Sequence, residues 1–187
     1  MNNIINILAV SGSLRSNSSN TFILKAMMAL APANVHIYLY DGIGNLPFFN
    51  PETEYDALTT VKDWRRHVQA ADGIIICTPE YAFNMPGVLK NALDWLVGSG
   101  ELNGKPVAAV SASPLATGGS KALFSLENTL TALGTVKSEH TLLTIPFLVK
   151  KLDAAGVLTD EVTRQQLSNV LSALIHTIEQ IKMNAVE

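Results

Sequence analysis

The stretch from Ser11 to Asn20, SGSLRSNSSN, follows directly on the apolar run IINILAV and gathers hydroxyl and amide side chains around a single cation, Arg15. Polar residues just ahead of a helix bring free backbone N–H groups to bear on an anion, and the helix dipole adds partial positive charge there. A charge-assisted hydrogen bond from a guanidinium contributes about 1.5–3 kcal/mol. Arg15 supplies that cation, Ser13, Ser18 and Asn20 supply neutral donors, and Gly12 lets the chain turn as it leaves the strand. These residue types suit one phosphate group, and they equally suit an ordinary turn with a helix N-cap.

Other phosphate and acyl-transfer signatures fail on spacing. The stretch is neither G-x-G-x-x-G nor G-x-x-x-x-G-K-[ST]. ELNGKP resembles the latter, but Ser99 stands at the first glycine and Pro106 at the required hydroxyl. No G-x-S-x-G nucleophile elbow occurs.

A second loop, TPEYAFNMPG (Thr78 to Gly87), combines stiffening by Pro79 with the flat side chains of Tyr81 and Phe83. It suits a planar heteroaromatic ring met by main-chain donors, and equally a core-packing turn. Its Glu80 is either an acid or a solvated loop carboxylate. A third loop, SASPLATGGSKA (Ser111 to Ala122), carries Gly118 and Gly119, which permit close approach to a ligand or merely start a helix. Cys77, the single cysteine, lies in GIIIC and reads as a buried structural thiol. The four histidines are scattered without metal-ligand spacing.

These loops are expected at the ends of strands. IINILAV (Ile4 to Val10), VHIYLY (Val35 to Tyr40), GIIICT (Gly73 to Thr78) and PVAAVSA (Pro106 to Ala112) read as strands, with the third the best central one. VKSEHTLLTI holds a weaker fifth. Between them, apolar residues at helical spacing mark Thr21 to Ala31, ended by Pro32, and the segment traced by Leu58, Val61, Trp64 and Val68. Leu89, Leu93 and Leu96 share one face of a helix with Pro86 in its first turn, and a further helix covers Ser120 to Leu133. Val162 to Ile181 makes a strong amphipathic C-terminal helix. Such alternation predicts one α/β domain over 1–187, a doubly wound five-stranded parallel sheet with helices on both faces. The order 2-1-3-4-5 suits it, with ligands beyond the carboxyl ends of strands 1 and 3.

Composition narrows the class. The 187 residues are 48% hydrophobic and 16% charged, with a formal net charge of −3. That balance favours a packed core and argues against a nucleic-acid or anionic-membrane partner. The basic cluster KDWRRH reads as a solvated helix face. The N-terminus lacks signal-peptide features and no apolar stretch reaches the roughly 20 residues of a membrane span, so the expected location is the cytoplasm.

Taken together, these motifs resemble the NADPH-dependent FMN reductases, a family of flavodoxin-like fold that includes quinone and chromate reductases. GSLRSNSSN is similar to the family's G-S-L-R-x-x-S-x-N, and TPEYAFNMPGVLKNALDW to its T-P-E-Y-N-x-S-x-P-G-x-L-K-N-A-x-D-W. Ala82 replaces the usual Asn and Asn84 the usual Ser. The resemblance covers about Ile4 to Leu133 well. It implies non-covalent FMN, with Ser13, Arg15, Ser18, Ser19 and Asn20 at the phosphate. Pro79, Glu80, Tyr81 and Ala82 would border the isoalloxazine, with Ser113 and Gly118 on its far side.

It further implies that a reduced nicotinamide, NADH or NADPH, passes hydride to the flavin N5. An acceptor such as a quinone, free flavin, azo dye or metal oxyanion then takes two electrons, with no essential amino-acid acid or base. The competing classes are a flavodoxin-type electron carrier without nicotinamide activity and a flavin-free binding domain; net charge −3 is small for a carrier serving basic partners. The apolar and aromatic surplus in LKNALDWLV, with the resemblance, predicts a homodimer or homotetramer through that region.

Overall fold

A computed structural model describes residues 4–54 and 57–184. In chain order the elements are β1 (Ile5–Ser11), α1 (Ser19–Ala29), β2 (Val35–Tyr40), α2 (Thr59–Ala70) and β3 (Gly73–Thr78), then α3 (Gly87–Asp94), β4 (Val107–Ala112), α4 (Ser120–Ala132), β5 (Leu142–Ile145) and α5 (Glu161–Asn184). The five strands pair in parallel in the order β2-β1-β3-β4-β5, as expected from the alternation of elements. β3 is central, and all six of its residues are buried. A strand covered on both faces has no use for a polar alternate residue, hence its unbroken apolar run.

Successive side chains of each strand serve two different cores. Leu8, Val10, Ile74, Ile76, Val107 and Ala109 pack with α2, α3 and α4. Ile7, Ala9, Ile75, Cys77, Ala108 and Val110 pack with α1 and α5 on the other face. Each fully buried aliphatic side chain stabilises this arrangement by about 1.5–3 kcal/mol relative to exposure.

The helices keep their expected positions with shifts at the ends. α1 closes at Ala29, with Leu30 as its C-cap and Pro32 just beyond, where a missing N–H forbids another turn. Pro86 is the N-cap of α3 rather than a residue of its first turn. β5 is only four residues long because Glu139–Thr141 forms a 3-10 turn ahead of it. On α5 Val162 is exposed, so the apolar periodicity runs past the covered face.

One expectation needs correction. KDWRRH is not simply a solvated face: Trp64 is buried and its Nε1 donates to Ala92 O at 2.8 Å. Next to it, Arg65 Nε reaches Glu101 Oε1 at 2.5 Å with both side chains largely shielded. Most of the apolar content of LKNALDWLV is used within the chain's own core, where Leu89, Leu93, Trp95 and Leu96 are buried, while Val97 stays exposed. No helix among the described residues is long and apolar enough to cross a membrane.

Candidate functional site

Parallel strands present all their carboxyl ends on one edge, so the loops that follow them meet there. Beyond that edge lies a cleft of about 370 Å3. Ser13, Arg15, Ser18, Ser19 and Asn20 form one wall, and Pro79, Glu80 and Tyr81 another. Ala112 to Leu115 and the pair Leu148 and Val149 complete it.

The first loop is folded on its own hydroxyls. The Ser13 N–H donates to Ser11 Oγ at 3.3 Å and the Arg15 N–H to Ser13 Oγ at 3.3 Å. Thr21 Oγ1 donates to Ser11 Oγ at 2.9 Å. Ser18 is the N-cap of α1, its Oγ accepting from the Thr21 N–H at 3.4 Å. The first helical bond runs from the Phe22 N–H to Ser18 O, which leaves the Ser19 and Asn20 N–H groups outside the intrahelical ladder. No acidic residue occupies the first turn of α1. Among the described residues the Arg15 guanidinium has neither hydrogen bond nor ion pair. Gly12 is needed for proximity rather than for turning, because an added Cβ would lie 3.0 Å from Thr78 Oγ1 and 3.1 Å from Leu89 Cδ2.

The second loop is a two-residue hairpin. Tyr81 and Asn84 exchange both backbone bonds at 3.0 Å, and Ala82 and Phe83 between them hold φ of 51° and 61°. Left-handed backbone at both central positions normally calls for Asn or Gly, so this turn is strained. Two side chains clamp it to α4. Glu80 Oε2 accepts from the Lys121 and Ala122 N–H groups at 2.9 and 3.0 Å. Asn84 Oδ1 accepts from the Met85 N–H at 2.8 Å and from Ser125 Oγ at 2.5 Å. Glu80 is therefore a cap on the start of α4, its charge balanced by the helix dipole.

The third loop is tied to the end of β5. Ser113 donates its N–H to Ile145 O at 3.1 Å and accepts from the Leu148 N–H at 3.0 Å. Gly118, with φ of 62°, is held so close that an added Cβ would lie 2.9 Å from Pro146 N. Gly119 is the N-cap of α4. Of the sequence-predicted residues, Ser13, Arg15, Ser18, Ser19, Asn20, Pro79, Glu80, Tyr81 and Ser113 share the cleft wall, while Ala82 and Gly118 lie outside it. Leu115 lies in the third loop but was not singled out there, and Leu148 and Val149 had no motif to announce them. Their only signal was position: each follows a strand on the same edge.

An open guanidinium and a helix start at one end, with flat and aliphatic side chains at the other, on a parallel sheet of order 2-1-3-4-5, define a flavodoxin-like class of site suited to a phosphorylated planar ligand. Residues 5–147 match the family of NADPH-dependent FMN reductases. The chain is 34% identical over 177 residues to the NAD(P)H-dependent FMN reductase of Pseudomonas aeruginosa, covering 93% of this chain and 95% of that protein. It is likewise 34% identical over 170 residues to a 2-hydroxy-1,4-benzoquinone reductase of a Burkholderia species, covering 89% and 92%. The solved structure of the flavoenzyme NAD(P)H:(acceptor) oxidoreductase FerB of Paracoccus denitrificans superposes with a TM-score of 0.85 at 31% identity, covering 95% and 98%. The chain belongs to the NADPH-dependent FMN reductase family. It is an oxidoreductase that works with FMN and a reduced nicotinamide.

The residues present fit that cofactor. An unpartnered guanidinium beside N–H groups free of intrahelical bonds suits a phosphomonoester with nearly two negative charges. The apolar portion, from Tyr81 to Leu115, Leu148 and Val149, suits a planar ring system.

Proposed function

We propose that the FMN phosphate sits against Arg15, with Ser13, Ser18, Ser19 and Asn20 as neutral donors, and that the ring system lies between Pro79–Ala82 and Ser113. Supporting this reading above all is the Arg15 guanidinium, which has no partner among the described residues and opens into the cleft beside the start of α1. Gly118 shapes this site from outside, by letting the third loop pack against the end of β5.

Bound FMN supplies two-electron chemistry, accepting from a nicotinamide and delivering to an acceptor. The protein binds and orients. The Ala82 and Phe83 N–H groups, which the hairpin's own bonds leave out, are held in place by the Glu80 and Asn84 clamps and would stabilise negative charge at the polar edge of the ring. Glu80 is committed to α4 and is not free to act as a proton donor.

The apolar wall favours a neutral planar acceptor, a quinone, over a metal oxyanion, since Arg15, the wall's one cation among the described residues, is engaged by the phosphate. The chain acts as one FMN-binding unit over residues 1–187, in the cytoplasm, where reduced nicotinamide is supplied. It assembles as a homodimer or homotetramer.

The test is a visible spectrum of the purified protein followed by turnover of NADH and NADPH with benzoquinone and with chromate. Yellow protein that consumes nicotinamide faster with the quinone is the expected result. Protein that takes up FMN yet oxidises neither nicotinamide would make it a carrier instead.

A further inference from the structure

The geometry points to Cys77 as a positioning residue for the phosphate site, acting through Asn20. Cys77 ends the apolar run of β3 on the face that carries α1 and α5, where the other strand residues of that core are aliphatic. Its Sγ is fully buried and donates to Asn20 Oδ1 at 3.2 Å, and Asn20, at the second position of α1, is itself 5% exposed. An asparagine amide offers one acceptor oxygen and two N–H donors. With Oδ1 committed to the thiol below, Nδ2 is the atom left to face the cleft that Asn20 lines.

The distinction matters for an anion. An Asn20 turned the other way would present its carbonyl oxygen to a phosphate, replacing an attraction with a repulsion. An aliphatic residue at position 77, like the isoleucines before it, would leave both orientations open. Burial pushes the Cys77 thiol up from its ordinary value, so it stays protonated as a donor at neutral pH. That also removes it from thiolate chemistry.

The inference rests on the proposed phosphate site, and the test separates the two. Dissociation constants for FMN and for riboflavin are measured by fluorescence quenching on apoprotein of the native chain, C77A, C77S, N20A and C77A/N20A, each with a thermal melt. C77A is expected to weaken FMN about three- to tenfold, the worth of one oriented hydrogen bond, with riboflavin unchanged. C77S, which keeps a donor, is expected to recover most of the loss. The double variant is expected to bind FMN no worse than N20A alone, since Cys77 has nothing left to position.

Equal losses for FMN and riboflavin in C77A, or losses that add in full in the double variant, would overturn the positioning role while leaving the phosphate site intact. N20A without any FMN-selective loss would overturn the place of Asn20 in that site, and this inference with it. If C77A does not fold, C77V fills the same space without a donor and is expected to behave as C77A.

Discussion

Backbone strain in this protein collects beside the cleft. Ala82 and Phe83 hold left-handed conformations in the second loop, and Phe147, with φ of 54°, holds another just after β5. Each such residue costs about 1–3 kcal/mol and persists because its surroundings over-determine it. At Ala82 the surroundings are the Glu80 and Asn84 clamps onto α4. Replacing Ala82 by Gly is expected to raise stability by about 1 kcal/mol, read as a higher urea midpoint with unchanged slope. A lower midpoint would mean that the turn is not strained. The departures at 82 and 84 were legible as departures, but not their meaning. Nothing local in TPEYAFNMPG says that Glu80 reaches Lys121 and Ala122, or that Asn84 reaches Ser125, because those partners lie about forty residues on.

At the scale of elements, periodicity carried most of the information. β2 and β3 were legible to the residue because their apolar runs are bounded by turn residues on both sides. β5 was poorly legible, since four residues after a 3-10 turn are too few to show a period. KDWRRH reads as more solvated than it is because a half-buried Arg65–Glu101 pair leaves no trace in a helical pattern. The start of α5 depends on Asp160, whose Oδ1 accepts from the Thr163 N–H at 2.9 Å and from Lys151 Nζ at 2.8 Å. The hydrogen bond from Lys151, and then those from Thr163, hold its carboxyl at about 2, below the usual 3.8. A depressed carboxylate contributes stability that is complete above its unfolded value and lost as pH falls through the folded one. The stability gap between native protein and Asp160→Asn is therefore expected to hold above about pH 4 and to close between about 4 and 2. Chemical unfolding at several pH values reads it directly; a gap that persists unchanged at pH 2 would contradict this.

For the molecule as a whole, one parallel sheet with two cores explains both the shared edge of the loops and the fully buried centre. The cleft was legible in outline because strand order alone brings the first three loops together, whereas the wall from Leu148 and Val149 required knowing where β5 ends. Most apolar side chains of LKNALDWLV face inward, with Val97 exposed, and the three most exposed aromatics among the described residues are Phe48, Phe83 and Phe124, at 94%, 78% and 64%. Light scattering at micromolar concentration is expected to give a dimer or tetramer, with Phe124→Glu shifting it toward monomer. A native monomer would remove the oligomer from this account.

The most direct test of the central claim compares FMN and riboflavin binding to native protein and Arg15→Ala. Loss of a charge-assisted contact to the phosphate is expected to weaken FMN by about ten- to a hundredfold and leave riboflavin within about twofold. Equal losses for the two ligands would put Arg15 away from the phosphate and contradict the account.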